Sequence, residues 1–96
     1  MNPITFTQKA GSEIAMLGKN EVGMVMPYPI GRKCKAIWKS SLGDTGKMPR
    51  GASDLRNAKR QLLLHIADWH REAGEPYAAR AQEFIAQAAD VLREAA

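Results

Sequence analysis

The sequence predicts an α+β domain: a three- to four-stranded antiparallel sheet over residues 3–42, then two helices over about 54–73 and 76–95 that form an antiparallel hairpin on one sheet face. Three observations predict it. In Ile4–Gln8 and in Lys33–Lys39 residues alternate with period two, the spacing of half-buried strands. From position 54 onward they recur in steps of three and four, the spacing of helix faces. Between the two regimes, Ser41–Gly51 holds three glycines and a proline with no period, as a loop does.

Ile4-Thr5-Phe6-Thr7-Gln8 alternates apolar and polar, and Ala10-Gly11-Ser12 interrupts it. Ile14-Ala15-Met16-Leu17 is a second short run. Gly18-Lys19-Asn20-Glu21 supplies the glycine and asparagine that tight turns favour, so Val22–Met26 reads as the returning strand of a hairpin. Pro27 and Pro29 lack backbone donors, which makes 27–31 a connection or an edge. In the fourth strand Cys34, Ala36 and Trp38 fall on one face, set to pack on a helix. Lys33, Lys35, Ile37 and Lys39 fall on the other.

Ser53 is the expected N-cap of the first helix, with Asp54 complementing the positive end of its dipole. The stripe Leu55, Ala58, Leu62, Ile66, Trp69, Ala73 forms one face, Leu63 and Leu64 widen it, and Gly74 ends it. Pro76 suits the first turn of the second helix. There Tyr77, Ala81, Phe84, Ala88, Val91 and Ala95 step by four and three, a heptad seam. The Gly74-Glu75 link is short enough to keep the helices adjacent and antiparallel, which favours a monomer over a homodimer.

Ninety-six residues, 45 % of them hydrophobic, fit one globular domain and exclude general disorder. No apolar run approaches the roughly 20 residues of a membrane span. The start, Met1-Asn2-Pro3, has neither the basic nor the apolar region of a signal peptide, and a lone Cys34 forms no internal disulfide. Cytoplasm is the expected location.

Candidate catalytic and metal sites are weak. His65 and His70 are five residues apart, roughly 140° around a helix, whereas helical zinc ligands lie three or four apart. Cys34 reads as a core thiol and lacks an evident base. Asp68 and Glu72 read as a solvated helix face. Gly43-Asp44-Thr45-Gly46-Lys47 lacks the Ser/Thr and the immediate helix of a phosphate loop. No metal, cofactor or catalytic set is expected.

Charge is uneven. Residues 1–31 are neutral, residues 32–60 carry nine basic groups against two acidic ones, and residues 61–96 carry three against six, within a net +4. The basic middle is Arg32, Lys33, Lys35, Lys39, Lys47, Arg50, Arg56, Lys59 and Arg60. Converging, they would neutralise phosphates or meet an acidic protein surface. Trp38 and Trp69 lie off the lysine face, so no aromatic row accompanies it to stack bases.

The three strands, glycine-rich loop and alanine- and leucine-rich helix over about residues 13–73 resemble the arm-binding domains of tyrosine recombinases. Those domains place a three-stranded sheet in the DNA major groove. The resemblance implies Lys33, Lys35 and Lys39 on a DNA-reading face. Pro27 and Pro29 depart from it, and the second helix has no counterpart there. The whole chain, through Leu17–Gly23 and Ala58–Leu63, is similar to small orphan α+β proteins of phages and mobile elements, anti-CRISPR proteins among them. That similarity implies a non-catalytic protein that occludes a surface of a nucleoprotein complex. The sequence thus leads to a binding protein, first as a phage-type inhibitor docking on a host nucleic-acid-handling defence complex. The alternative is a domain that binds duplex DNA through the lysine face, and an enzyme comes third.

Overall fold

A computed structural model describes residues 4–28, 34–42 and 49–93 and has the α+β architecture expected. The strands are β1 (Thr5–Lys9), β2 (Ser12–Leu17), β3 (Asn20–Pro27), β4 (Ala36–Ser40) and β5 (Arg50–Ala52). The helices are α1 (Leu55–Glu72) and α2 (Tyr77–Arg93). The sheet is an antiparallel meander in the order β1-β2-β3-β4-β5.

Short turns set the register. Ala10 and Gly11 both take positive φ, 49° and 85°, as a two-residue hairpin turn with the right-handed strand twist requires. Thr7 thereby faces Ile14 and Phe6 faces Ala15. Between β2 and β3 the register shifts at Ala15/Met16: Ala15 faces Gly23 while Met16 faces Glu21. Val22 is the extra residue, and Val22 and Gly23 are both buried, the local break in alternation that a bulge makes. Pro27 closes β3, two residues beyond the last paired position of β2, where its missing donor costs no ladder bond on that side.

The sheet extends beyond position 42. Arg50, Gly51 and Ala52 pair with Trp38, Ile37 and Ala36, so the end of the expected loop is a fifth strand. Three residues centred on a glycine carry no readable period. The space above that glycine is filled by Cys34, whose Sγ would overlap a Cβ at Gly51. Alternation puts that position on the face opposite Ala52. Cys34 is therefore half-buried against β5 and does not face the helices as expected, because the chain bends at Lys35 before β4 begins.

The helices cover one face. Ala15, Val25, Ala36, Trp38 and Ala52 meet Ala58, Leu62, Leu63 and Ile66 of α1, all nearly inaccessible to solvent. Small side chains on the sheet let α1 lie close. At Gly23 a Cβ would stand 2.7 Å from the Lys39 carbonyl oxygen and 2.8 Å from Leu62 Cδ1. Trp38 Nε1 donates to Gln61 Oε1 at 2.7 Å, tying β4 to α1. Asp54, and not Ser53, is the N-cap: its Oδ1 accepts from the Asn57 amide at 2.8 Å, while Ser53 Oγ accepts from the Asn57 side chain.

Gly74, at φ 83°, turns the chain back after α1. The α2 seam of Ala81, Phe84 and Ala88 is buried on α1. This second contact rotates the buried face of α1 toward Leu63, Ala67 and His70, leaving Trp69 half-buried and Ala73 exposed. His70 is accordingly a core residue and not a half-buried or surface one. Its Nδ1 lies 2.8 Å from the Ile66 carbonyl and its ring 4.8 Å from that of Phe84. At the far side of the sheet Gln87 of α2 brackets Ile4, accepting from its amide at 3.0 Å and donating to its carbonyl. Among the described residues no helix is long and apolar enough to cross a membrane.

Candidate functional site: the open face of the sheet

Because α1 and α2 share one side, the other side of the sheet is left uncovered by any described element. Strand alternation decides what stands there. Val25 points to α1, so Met24 and Met26 point away; Trp38 points to α1, so Ile37 and Lys39 point away. Cross-strand pairing aligns Ile14 with Met24, Met24 with Lys39, and Met26 with Ile37. Ile14, Met16, Met24, Met26 and Ile37 thus form a half-exposed apolar strip across β2, β3 and β4.

Two hollows lie along it. One, of about 380 Å³, is lined by Thr7, Lys9, Ile14, Met16, Lys19 and Glu21. The other, of about 140 Å³, is lined by Met24, Met26, Ile37, Trp38, Lys39 and Pro49. Lys9, Lys19 and Lys39 rim the strip, with Glu21 the one acid among these lining residues. All three lysines are exposed, and among the described residues none has an ion-pair partner.

The basic residues singled out by sequence are divided among several surfaces. Lys39 stands on the open face, and Lys35 is exposed in the bend that leads into β4. Arg50 belongs to the opposite face: it pairs with Trp38 and places its guanidinium 5.9 Å from that ring. Arg56, Lys59 and Arg60 are carried by the first turns of α1. Lys59 is engaged inside the fold, 2.9 Å from Glu13 and 5.1 Å from the Phe6 ring centroid. Arg32, Lys33 and Lys47 lie outside the described residues.

Sequence reasoning missed Lys9, Lys19 and the apolar strip. The signal was present in part: Met24 and Met26 flank Val25 at period two, so one set had to face away from the helices. Elsewhere, His65 Nε2 lies 3.1 Å from the Leu42 carbonyl and its ring lies tilted 5.7 Å from that of Trp38, which gives it a structural part. Among the described residues no three His, Cys, Asp or Glu side chains are grouped to hold a metal. No family model, curated protein or solved structure matches the chain.

Proposed function

We propose that the chain is a non-catalytic binding protein that docks through its open sheet face on an acidic surface of a partner, as a phage-type inhibitor of a host nucleic-acid-handling defence complex. The observation that supports this reading is the unpaired set of lysines around the one face that no described element covers. Fold stability gives little reason for them, since like charges on one face repel. Near an anionic surface each adds favourable Coulomb energy and speeds encounter.

Duplex DNA is the competing partner, and the sheet's width argues against it. Five strands span four gaps, about 19 Å at roughly 4.8 Å each, whereas the major groove is about 12 Å wide. Methionines also occupy the centre of the face, where a phosphate-binding surface would carry cations.

The test is phage plating on a host with an active defence complex, with the parent chain and with Lys9→Glu/Lys19→Glu/Lys39→Glu. The expected result is plating restored by the parent and lost with the variant, at an unchanged melting temperature. Restoration by the variant equal to the parent would remove the lysines from the mechanism. No restoration by the parent, together with duplex binding that weakens steeply with salt, would replace this reading with DNA binding.

A further inference from the structure

We infer that the open face receives an amphipathic helix of the partner protein. Its apolar stripe would lie on Ile14, Met16, Met24, Met26 and Ile37, and its flanking carboxylates would meet Lys9, Lys19 and Lys39. This rests on the proposed reading of an acidic partner and adds what kind of segment that partner presents.

The first argument is the chemistry of the strip. An antiparallel sheet with one solvated face alternates apolar-in and polar-out. Here five outward positions of β2, β3 and β4 carry large apolar side chains beside Glu21 and Lys39, and two of the cross-strand pairs, Ile14–Met24 and Met26–Ile37, are apolar on both members. That is the pattern of a face meant to be covered, and a helix laid on a sheet is the usual cover. This sheet already receives α1 in that way on its other side. Ile14 and Ile37 stand two strands apart and two residues out of line, about 12 Å in all. Two turns of a helix advance about 11 Å, so side chains two turns apart match the two hollows.

The second argument is charge. The rim carries three unpaired lysines against one glutamate, so the flanks of the helix must be acidic. A second copy of the chain does not meet this requirement. Of its exposed helical acids, Asp68 and Asp90 each pair with the arginine three residues on and Glu83 with Arg80, three residues before it, which leaves Glu72 against the three lysines of the rim. Its sheet face would bring lysines against lysines. A helix-to-sheet contact between copies is also heterologous and does not close on itself without a ring.

The third argument is adaptability. Three of the five strip residues are methionines, which repack around different apolar shapes. A generic helix with the right stripe and charge is therefore a fair probe.

The experiment uses the full chain labelled with carbon-13 at the methionine methyls. It is titrated with a synthetic amphipathic helix bearing one leucine face and glutamate flanks. Parallel titrations use an equally acidic peptide with serine in place of leucine, and a short DNA duplex. The expected result is saturable shifts of the Met16, Met24 and Met26 methyls with the leucine–glutamate helix, at least about tenfold tighter than with the serine peptide. Met24→Gln and Ile37→Thr should each weaken it by about tenfold, the latter keeping a β-branched side chain in the strand. Equal binding of both acidic peptides would overturn the inference and leave the acidic-partner reading standing. Tighter binding of the duplex would overturn both. No methyl shifts with the leucine–glutamate helix would overturn the inference alone, the plating assay deciding the broader reading independently.

Discussion

Replacing Gly23 by alanine tests the closeness of sheet and helix on which the sidedness of the molecule depends. The new Cβ would meet the Lys39 carbonyl oxygen at 2.7 Å and the Leu62 methyls at 2.8 and 3.0 Å. The first neighbour is backbone in the β3–β4 ladder, where Gly23 faces Ser40 and Met24 faces Lys39, and it cannot retreat without straining those pairs. The second is a fully buried side chain gripped by the core. Overpacking of this kind costs about 1–3 kcal/mol. Against it stands the smaller unfolded-state entropy of alanine, worth about 0.4–1 kcal/mol. With two clashes, one of them on backbone, the upper part of the cost range applies, and a net loss of about 2 kcal/mol follows, or about 10 °C in melting temperature for a domain of this size. The assay is urea unfolding followed by tryptophan fluorescence and far-ultraviolet circular dichroism. Leu62→Ala alone should cost about 2–5 kcal/mol. Combined with Gly23→Ala, it should cost less than the two changes added together, because the cavity admits the new methyl. A Gly23→Ala protein as stable as the parent, or more so, would refute the close approach of α1.

Trp38→Ala and Ile66→Ala should each destabilise by about 2–5 kcal/mol, since both are buried where sheet and α1 meet; a melt within about 0.5 kcal/mol of the parent would reject that placement. Phe84, 1 % exposed and packed on His70, closes the α1–α2 seam inside one chain, so Phe84→Asp should unfold a monomeric protein. Sedimentation showing a dimer that Phe84→Asp converts to a folded monomer would make the seam an interface instead. Asp54→Ala should cost about 1 kcal/mol and Ser53→Ala clearly less, because only Asp54 accepts from a backbone amide of the first turn; the reverse order in thermal melts would return the cap to Ser53.

The order of elements was legible because each long element repeats its own period. Ala36 and Trp38 alternate with Ile37 and Lys39, and Ala81, Phe84 and Ala88 step round a helix, so their buried faces could be named in advance. What escaped was set by single local events. The bulge at Val22 shifts the register without a marker in composition. The bend at Lys35 turns Cys34 away from the helices. β5 is too short to show a period, and the burial of His70 depends on α2 arriving from outside the local sequence. The basic run from 32 to 60 looked like one surface because it is continuous along the chain. Its described part passes through β4, β5 and α1, whose geometry divides it: Lys39 stands on one side of the sheet, and Arg50 and Lys59 on the other. Conversely, Lys9 and Lys19 sit in a segment of zero net charge, yet the β1–β2–β3 meander brings them beside one hollow.

Residues 23 and 24 show how far the two faces differ. Toward α1 the sheet offers Ala15, Gly23, Ala36 and Ala52, small residues that let a helix already present come close. Away from it the same strands offer Ile14, Met16, Met24, Met26 and Ile37, large residues with hollows between them. If the strip served only to stabilise the sheet, Met24→Gln would cost stability, because a polar group would replace apolar contact. If the strip is a docking face, Met24→Gln leaves the free protein near parent stability, within the roughly 0.5 kcal/mol of ordinary surface changes, and acts only on binding. Gly23→Ala should do the opposite: it lowers stability, while the variant molecules that remain folded bind the leucine–glutamate helix as the parent does. The pair therefore separates the face that builds the fold from the face that uses it. Loss of stability in Met24→Gln comparable to that in Gly23→Ala would show that the open face belongs to the core after all.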